Sequence, residues 1–598
     1  MPFVLFWTNE VILAFSLENT AILEYNTSHK VLCFAREGDK VKKQIYVGVE
    51  SFEQIREGDY FYVDKTLFIK ELFDNRGKVT LITRPRRFGK TMNMSMLRSF
   101  FDISRDSKSL FEGLAIAEHQ DICDRHMNTY PVISLTLKNV EFDTYEKSIS
   151  SIKNLVSDLF RESLHICSGD KLNEFTVKDY MRYCSKDAGE ADLASALKFL
   201  TFCLHTYHQK RVIVLLDEYD TPIDSAERHG YYQEMIGFMR GFLGSVFKTN
   251  DSLEFGVLTG VQRISREGLF SSFNNPKICG VLDEEFASCF GFTEEEVKDA
   301  CEMYGIGDKY VDVKRWYDGY RFGGRDIYNP WSITMYLDRR KLENYWVNTG
   351  SVQVLRDVFH KGDDRLRNDV AGLLTGSPIT MGLADQITYP IKYASSNTFW
   401  TLLLHAGYLK PCNGAKGAWF EAELVNMEVR NTFSHYAQEW LMEERVGLSE
   451  AIREFVGQLL SGDAQGVART LNEDILENPS SFDLIRENSY HMFIYGMLLT
   501  ASNSYAVYSN QESGKGRSDC IIKPMDKNAV AVVVEFKHLK SEPENLKEEA
   551  RKGLEQISEK AYARNLKAEG YERVYIYGIA FYKKTCEVEM EASCQKSN

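Results

Sequence analysis

Proline is scarce in this chain, 12 in 598 residues, and no low-complexity tract or internal repeat interrupts it. With 44% hydrophobic and 26% charged residues, that scarcity argues against disorder away from the two ends and for folded domains. No apolar run is long enough to cross a bilayer, so no membrane span is expected. Residues Pro2 to Ser16 are apolar, but no basic stretch precedes them and Asn9 and Glu10 break them, so no signal peptide is expected. The 12 cysteines include no Cys-x-x-Cys pair. Neither a zinc site nor a disulfide scaffold follows, and reduced thiols in a cytoplasmic protein are the simpler reading. An excess of positive charge is lacking too. A formal net charge of −14 argues against a protein that simply coats nucleic acid, but leaves room for an enzyme with a local basic groove.

What is present is concentrated in two stretches. The first is Val79 to Thr91. Val79 to Thr83 is a short apolar run of strand type, and Met94, Leu97, Phe100 and Phe101 recur afterwards at helical spacing. Between them lies Arg84-Pro85-Arg86-Arg87-Phe88-Gly89-Lys90-Thr91. Gly-Lys-Thr at a helix start is the close of a phosphate-binding loop: free N–H groups and the positive end of the helix dipole favour an anion there. Gly89 allows close backbone approach, Lys90 reaches the β and γ phosphates, and the Thr91 hydroxyl meets Mg²⁺. Arg86, Arg87 and Phe88 complete the nucleotide-binding set. Arg84 stands where the usual pattern has its first glycine, and as a non-glycine it must avoid positive φ.

Downstream, Arg211 to Leu216 is an apolar strand ending in Asp217-Glu218. An unbroken apolar run is the mark of a strand buried on both faces. Its carboxyl end presents Asp217 to Mg²⁺ and Glu218 to an attacking water. A further strand, Leu253 to Thr259, offers Thr259 as a γ-phosphate contact between the two motifs. Arg263 or Arg266 serve there as charge stabilisers or as surface arginines. Strands are also expected at 131–137 and 277–281, alternating with helices about 145–165 and 193–208, which implies a mostly parallel sheet. Thr293 with Glu296 three residues on predicts a helix N-terminus. The aromatics around Trp316 to Tyr320 and Tyr328 to Ser332, like Tyr60, Tyr62 and Asp64, either meet the nucleotide base or pack in the core, packing being the stronger expectation.

The second stretch is C-terminal. A helix over 487–500, with Tyr490 and His491, precedes a strand at 506–509 and a strand opened by Asp519. A third strand, Ala529 to Val534, ends in Glu535-Phe536-Lys537. One long helix with Gln556 and Tyr562 and a strand from Val574 to Phe581 follow. Alternate side chains of a strand share a face, so Glu535 and Lys537 point into one cleft while Phe536 packs behind. Asp519 joins them from the neighbouring strand. Asp519 and Glu535 are hard oxygen ligands for Mg²⁺ or Mn²⁺, Lys537 either orients the attacking water or neutralises charge, Gln556 is a candidate assistant, and Glu487 a candidate added acid. Lys515 and Arg517 either touch a nucleic-acid backbone or form a solvated turn. The order helix, three strands, helix, strand is the core of the PD-(D/E)xK nucleases.

These motifs, with Tyr62-Val63-Asp64-Lys65-Thr66, Leu258-Thr259-Gly260, Tyr317-Asp318-Gly319-Tyr320 and Glu512 to Asp519, together resemble one family: bacterial and archaeal AAA-ATPase-like proteins carrying a C-terminal PD-(D/E)xK nuclease domain. The likeness runs from about Tyr46 to Phe581, and the arginine-rich loop without its first glycine is usual in it. It implies an α/β chain with a P-loop parallel sheet at 45–290, a mostly helical lid or linker at 291–470 and a nuclease-like domain at 471–598, while the first forty residues do not match it and 1–44 are read as an N-terminal extension of unknown role. The expected cofactors are ATP and Mg²⁺, with Mn²⁺ an alternative at the second site. The expected partners are nucleic acid, DNA before RNA, and further copies of the chain, with no membrane. The expected function is ATP hydrolysis coupled to a metal-dependent nuclease. The alternative is an ATP-driven switch whose nuclease-like domain only binds nucleic acid or a protein.

Overall fold

The computed structural model describes residues 5–8, 11–14, 42–263, 276–346, 355, 369–370, 372–373, 376–383, 395–412, 419–433, 436, 448–475, 494, 497–498, 505–513, 516–539, 545–559, 562–582 and 585–593. Glu487, Tyr490, His491, Lys515 and Arg266 lie outside the described residues, as does the side chain of Arg517. The chain divides into two units, Met1–Lys42 and Lys43–Asn598. Within the first, β1 (Leu5–Thr8) and β2 (Val11–Ala14) form an antiparallel hairpin.

The second unit is organised by a five-stranded parallel sheet. β3 (Val79–Thr83), β4 (Val132–Thr136), β5 (Val212–Asp217), β6 (Leu253–Gly260) and β7 (Lys277–Cys279) lie in the order β4-β5-β6-β3-β7. The apolar runs of β3 and β5 are buried along their full length, as expected for strands covered on both faces. Helices Lys90–Phe101, Tyr145–Glu162, Glu190–His208 and Tyr232–Phe247 supply the cover. Because β6 separates β3 from β5, the carboxyl ends of all three meet at one crevice, where ligands bind in open α/β sheets.

Two small sheets follow. β8 (Phe292–Thr293), β9 (Tyr320–Phe322) and β10 (Arg325–Tyr328) are ordered β8-β10-β9, and β11 (Ile379–Gly382), β12 (Leu409–Pro411) and β13 (Trp419–Leu424) are ordered β11-β13-β12. Thr293 caps helix Glu294–Met303 reciprocally. Its N–H donates to Glu296 Oε2 at 2.7 Å, and Glu296 N–H donates back to Thr293 Oγ1 at 3.3 Å.

The C-terminal sheet is β14 (Tyr505–Ser513), β15 (Gly516–Pro524), β16 (Ala531–His538), β17 (Val574–Tyr582) and β18 (Thr585–Ser593) in sequential order, antiparallel except for the parallel pair β16–β17. Three expectations are corrected here. Asp519 sits inside β15 rather than opening a strand, because the hairpin with β14 extends pairing back to Ser513–Gly516. The long helix is two helices, Leu546–Glu559 and Tyr562–Ala568, whose buried residues Leu554, Ile557, Tyr562 and Leu566 share one apolar cluster with β16 and β17. The last strand is followed by another, β18, that the sequence reading did not contain. Helix Leu448–Ser461 ties the middle region to this sheet, with Tyr577 Oη donating to the Leu459 carbonyl at 2.9 Å. Among the described residues no helix is long and apolar enough to cross a membrane.

Candidate functional sites

The first site lies at the crevice of the parallel sheet, in a cavity of about 420 Å³. Gly89, at φ +80, turns the chain from loop into helix in a conformation that a side chain resists. Arg87 also takes positive φ, +68, while Arg84 stays outside the left-handed region. Lys90 is buried to 5% exposure, and its ammonium donates to the carbonyls of Arg84 and Pro85 at 3.1 and 2.9 Å. Burial lowers its pKa, opposed by the charges of Glu218, Asp217 and Asp220. Thr91 Oγ1 donates to Asp217 Oδ2 at 2.7 Å, and Thr259 Oγ1 donates to Asp217 Oδ1. The start of helix Lys90–Phe101 and the end of β6 thus converge on the carboxylate that closes β5. Glu218 follows at φ +54, a strained setting for a glutamate. Burial raises its pKa, offset first by Lys90. Asp220, fully buried, accepts the N–H groups of Val261 and Gln262 at 2.8 Å each, fixing the loop after β6.

Two residues behave otherwise than their motif positions suggest. The Phe88 ring is fully buried against Tyr320 and Phe322, at centroid distances of 4.8 and 5.1 Å. Only its backbone can serve a phosphate, because the aromatic ring is spent on the core. Arg84 is fully buried as well. Its guanidinium donates to the carbonyls of Thr83 at 2.9, Cys279 at 3.2, Gly280 at 2.7, Glu285 at 3.2 and Phe286 at 3.2 Å. Burial lowers its pKa to about 10, so it stays charged at neutral pH. The arginine in the glycine position is therefore a bolt between the loop and the strand β7 side of the sheet. Arg84→Gly, which restores the usual glycine, is expected to destabilise the chain by at least about 3 kcal/mol, since five buried carbonyls lose their donor. A lower apparent unfolding midpoint is the check; an unchanged midpoint would sink the account.

The sequence reading left the aromatics of the middle region to the core. Tyr317, Tyr320 and Tyr328 are fully buried. Trp331, however, lines the cavity together with Val47, Phe292 and Pro330, and the Arg87 guanidinium lies over its ring at 4.5 Å. A polar–aromatic stack at a cavity mouth suits a nucleotide base. The signal available in the sequence was Asn329-Pro330, a helix start, which aims the next residue outward. Asn329 Oδ1 accepts the Ser332 N–H at 3.1 Å as that cap. Asp64 is structural instead: its oxygens accept Thr66 N–H at 2.8 Å and Ala115 N–H at 2.7 Å.

Near this site the middle region buries Glu428 at 0% exposure, with its carboxyl pushed up to about 7 by burial. An unfolded glutamate titrates near ~4.3, so the folded chain holds the extra proton between these values. Glu428 therefore subtracts stability as pH rises through that window, by on the order of 3 kcal/mol once fully ionised. Glu428→Gln is expected to unfold at higher temperature than the parent at about pH 8 and to lose that advantage by about pH 5. A pH-independent difference would contradict this.

The second site is on the C-terminal sheet. Asp519 stands one residue beyond the Cys520–Val534 pair of β15 and β16, next to Glu535, and its Oδ2 accepts the Phe536 N–H at 2.7 Å. Glu535 is 3% exposed and accepts from Gln556 Nε2, while Lys537 Nζ donates to Gln556 Oε1. Gln556 thus bridges acid and base. It reaches them because helix Leu546–Glu559 lies unusually close to the sheet: a Cβ on Gly578 of β17 would collide with the Ala550 carbonyl, and one on Gly553 would sit 3.1 Å from Gly578 Cα. Those two glycines, one in a helix and one in a strand, were the missed sequence signal. Phe536 packs behind, its ring 6.1 Å from that of Phe581. The electrostatics are those of a cation-seeking pocket. Burial first, then the charges of Asp519 and Glu535, push the Cys520 thiol well up. Burial and then Glu535 and Asp519 push the Tyr562 phenol to about 12. Among the described residues no cluster of three or more His, Cys, Asp or Glu side chains forms a metal cage. Two carboxylates with phosphate and water oxygens are a donor set that a hard divalent cation accepts.

Both sites fall within stretches that are similar to known families. Residues 46–270 match a family described as a predicted AAA-ATPase, and residues 485–591 match the PD-(D/E)XK nuclease superfamily. An uncharacterized protein of the vnfD 5' region in Azotobacter chroococcum mcd 1 is 25% identical over 560 residues, covering 92% of this chain and 98% of that protein.

Proposed function

We propose that this chain, an AAA-ATPase-like domain joined to a PD-(D/E)XK nuclease superfamily domain, hydrolyses ATP and uses that cycle to govern a divalent-metal-dependent nuclease whose substrate is DNA. The observation that supports it most is the pairing of two assembled polar sets in one chain: Asp217 receiving both Thr91 and Thr259, and Gln556 joining Glu535 to Lys537 beside Asp519.

In the first site, backbone N–H groups at the start of helix Lys90–Phe101 and the Lys90 ammonium cradle the phosphates. Thr91 and Asp217 would hold Mg²⁺, which neutralises phosphate charge when bound. Glu218, its pKa raised by burial, takes the proton of the water that attacks the γ-phosphorus. Thr259 couples that event to β6 through Asp217. In the second site, Asp519 and Glu535 would hold Mg²⁺ or Mn²⁺, which activates water and offsets charge on the scissile phosphate. Lys537 orients the attacking water and Gln556 holds Lys537 in line. The ten described cysteines are free thiols, which fits a cytoplasmic setting.

A second reading has one observation in its favour. Glu535 and Lys537 already satisfy each other through Gln556, so the domain could bind nucleic acid without cutting it. The deciding experiment incubates the purified full chain with labelled single- and double-stranded DNA, and with RNA, in Mg²⁺ or Mn²⁺, with and without ATP. DNA products that appear only with metal support the nuclease. Intact substrates that nonetheless shift in a gel favour the binding domain.

A further inference from the structure

The phosphate loop is held, residue by residue, by the middle region. Gly407, at φ +90 after helix Ser396–Ala406, lies so close under the loop that a Cβ would be 3.0 Å from Pro85 Cβ. Trp346 Nε1 donates to the Arg86 carbonyl at 3.1 Å. Trp331 underlies the Arg87 guanidinium at 4.5 Å. Tyr320 and Phe322 enclose Phe88. The loop of a P-loop fold is ordinarily shaped by its own strand and helix; here four successive residues each have a partner beyond residue 319.

One of those partners, Trp346, and the residue next to another, Ser332 beside Trp331, converge on one carboxylate. Glu428 Oε1 accepts the backbone N–H of Trp346 at 2.5 Å, and Oε2 accepts Ser332 Oγ at 2.8 Å. Ser332 follows Trp331 at the start of helix Pro330–Arg339. The titratable groups facing Glu428 are phenols, those of Tyr317, Tyr320 and Tyr345. Keeping a carboxylate at full burial is costly, and what it secures is the placement of two tryptophans that touch the nucleotide loop.

We propose that Glu428 is a positioning residue for nucleotide binding: through Trp346 it sets the Arg86 carbonyl, and through Ser332 it sets the Trp331 ring at the cavity mouth. The inference deepens the nucleotide-binding reading of the first site and rests on it. Glu428 is not among the residues lining the cavity. Thr91, Asp217 and Glu218 are anchored independently of it, so its loss acts on affinity rather than on turnover.

The test measures binding and hydrolysis of ATP by the full chain in five forms: parent, Lys90→Ala, Glu428→Ala, Glu428→Gln and Trp346→Phe. Glu428→Ala and Trp346→Phe are expected to weaken ATP binding about tenfold, the equivalent of a lost hydrogen bond to a charged group. Turnover at saturating ATP should stay within about twofold. Glu428→Gln should restore parental affinity, because its amide carbonyl still accepts from Trp346 N–H while its NH₂ donates to Ser332. Should Glu428→Ala fail to fold, Trp346→Phe carries the test, since it removes the indole N–H and keeps a ring. Parental affinity in both variants, with binding lost in Lys90→Ala, overturns the inference and leaves the nucleotide reading standing. A Gln variant as weak as Ala also overturns it, as would a fall in turnover with affinity unchanged. A parent chain that does not bind ATP overturns both.

Discussion

Lys90→Ala is expected to reduce ATP turnover, as kcat/KM, by about a hundredfold to a few thousandfold while leaving the fold intact. The carboxyl end of β5 brings Asp217, Glu218 and Asp220 to the crevice, and Lys90 is the cation that acts most strongly on Glu218, ahead of Arg86. A triphosphate entering this crevice adds negative charge to three acids at low dielectric, where unit charges interact far more strongly than in water. Removing the buried ammonium leaves an undercompensated buried charge, typically a loss of about 3–5 kcal/mol, and each ~1.4 kcal/mol is a factor of ten. The fold should tolerate the change because Lys90 Nζ bonds only two loop carbonyls, and the helix it starts is anchored by Met94, Leu97 and Phe100 in the core. Steady-state ATP hydrolysis of parent and variant, beside their melting curves, is the check. Turnover within tenfold of the parent would remove Lys90 from the site.

Lys537→Ala is expected to abolish DNA cleavage, by about a thousandfold or more, while DNA binding changes only a few-fold. Lys537 stands on the same face of β16 as Glu535 and is held by Gln556, which also holds Glu535. Loss of the ammonium removes both the group that orients water and the positive charge that offsets the transition state, effects realised in the reaction and not in ground-state binding. Binding surface is left in place, so a filter or gel assay separates the two roles. Chelation of divalent metal should give the same loss in the parent, and Mn²⁺ should restore it, because Asp519 and Glu535 offer only hard oxygen donors. Cleavage retained in Lys537→Ala would assign the chemistry elsewhere. Binding lost together with cleavage would make Lys537 a phosphate contact. Cleavage that tracks Lys90→Ala would additionally show that the ATPase governs the nuclease.

Much of both sites was legible in the chain because the chemistry there is local. A phosphate loop needs its strand, glycine, lysine and hydroxyl in one continuous stretch, and β3 with helix Lys90–Phe101 delivers them in that order. An apolar run ending in Asp-Glu is self-contained in the same way, as β5 is. Glu535 and Lys537 share a face by the two-residue period of a strand alone. Thr293 with Glu296 is likewise a cap readable from four residues.

What sequence spacing could not supply is distance between remote segments. That Thr259 bonds Asp217 depends on β6 lying between β3 and β5, a strand order that no local pattern encodes. That Phe88 is core rather than ligand depends on Tyr320 and Phe322 arriving from the middle region. The motif marked Arg84 only as an oddity; its role appears once five carbonyls from β3, β7 and the following turn surround it. Gln556 meets Glu535 because two glycines let a helix sit close on a sheet. By itself, then, the sequence determined two α/β units, their motifs and the donor atoms each would offer, since these follow from periodicity and residue chemistry. Only the tertiary structure decided which of those atoms meet, and that the middle region packs against the 84–91 loop and helps to line its cavity, because contacts between segments far apart in the chain are set by packing and strand order rather than by any local pattern.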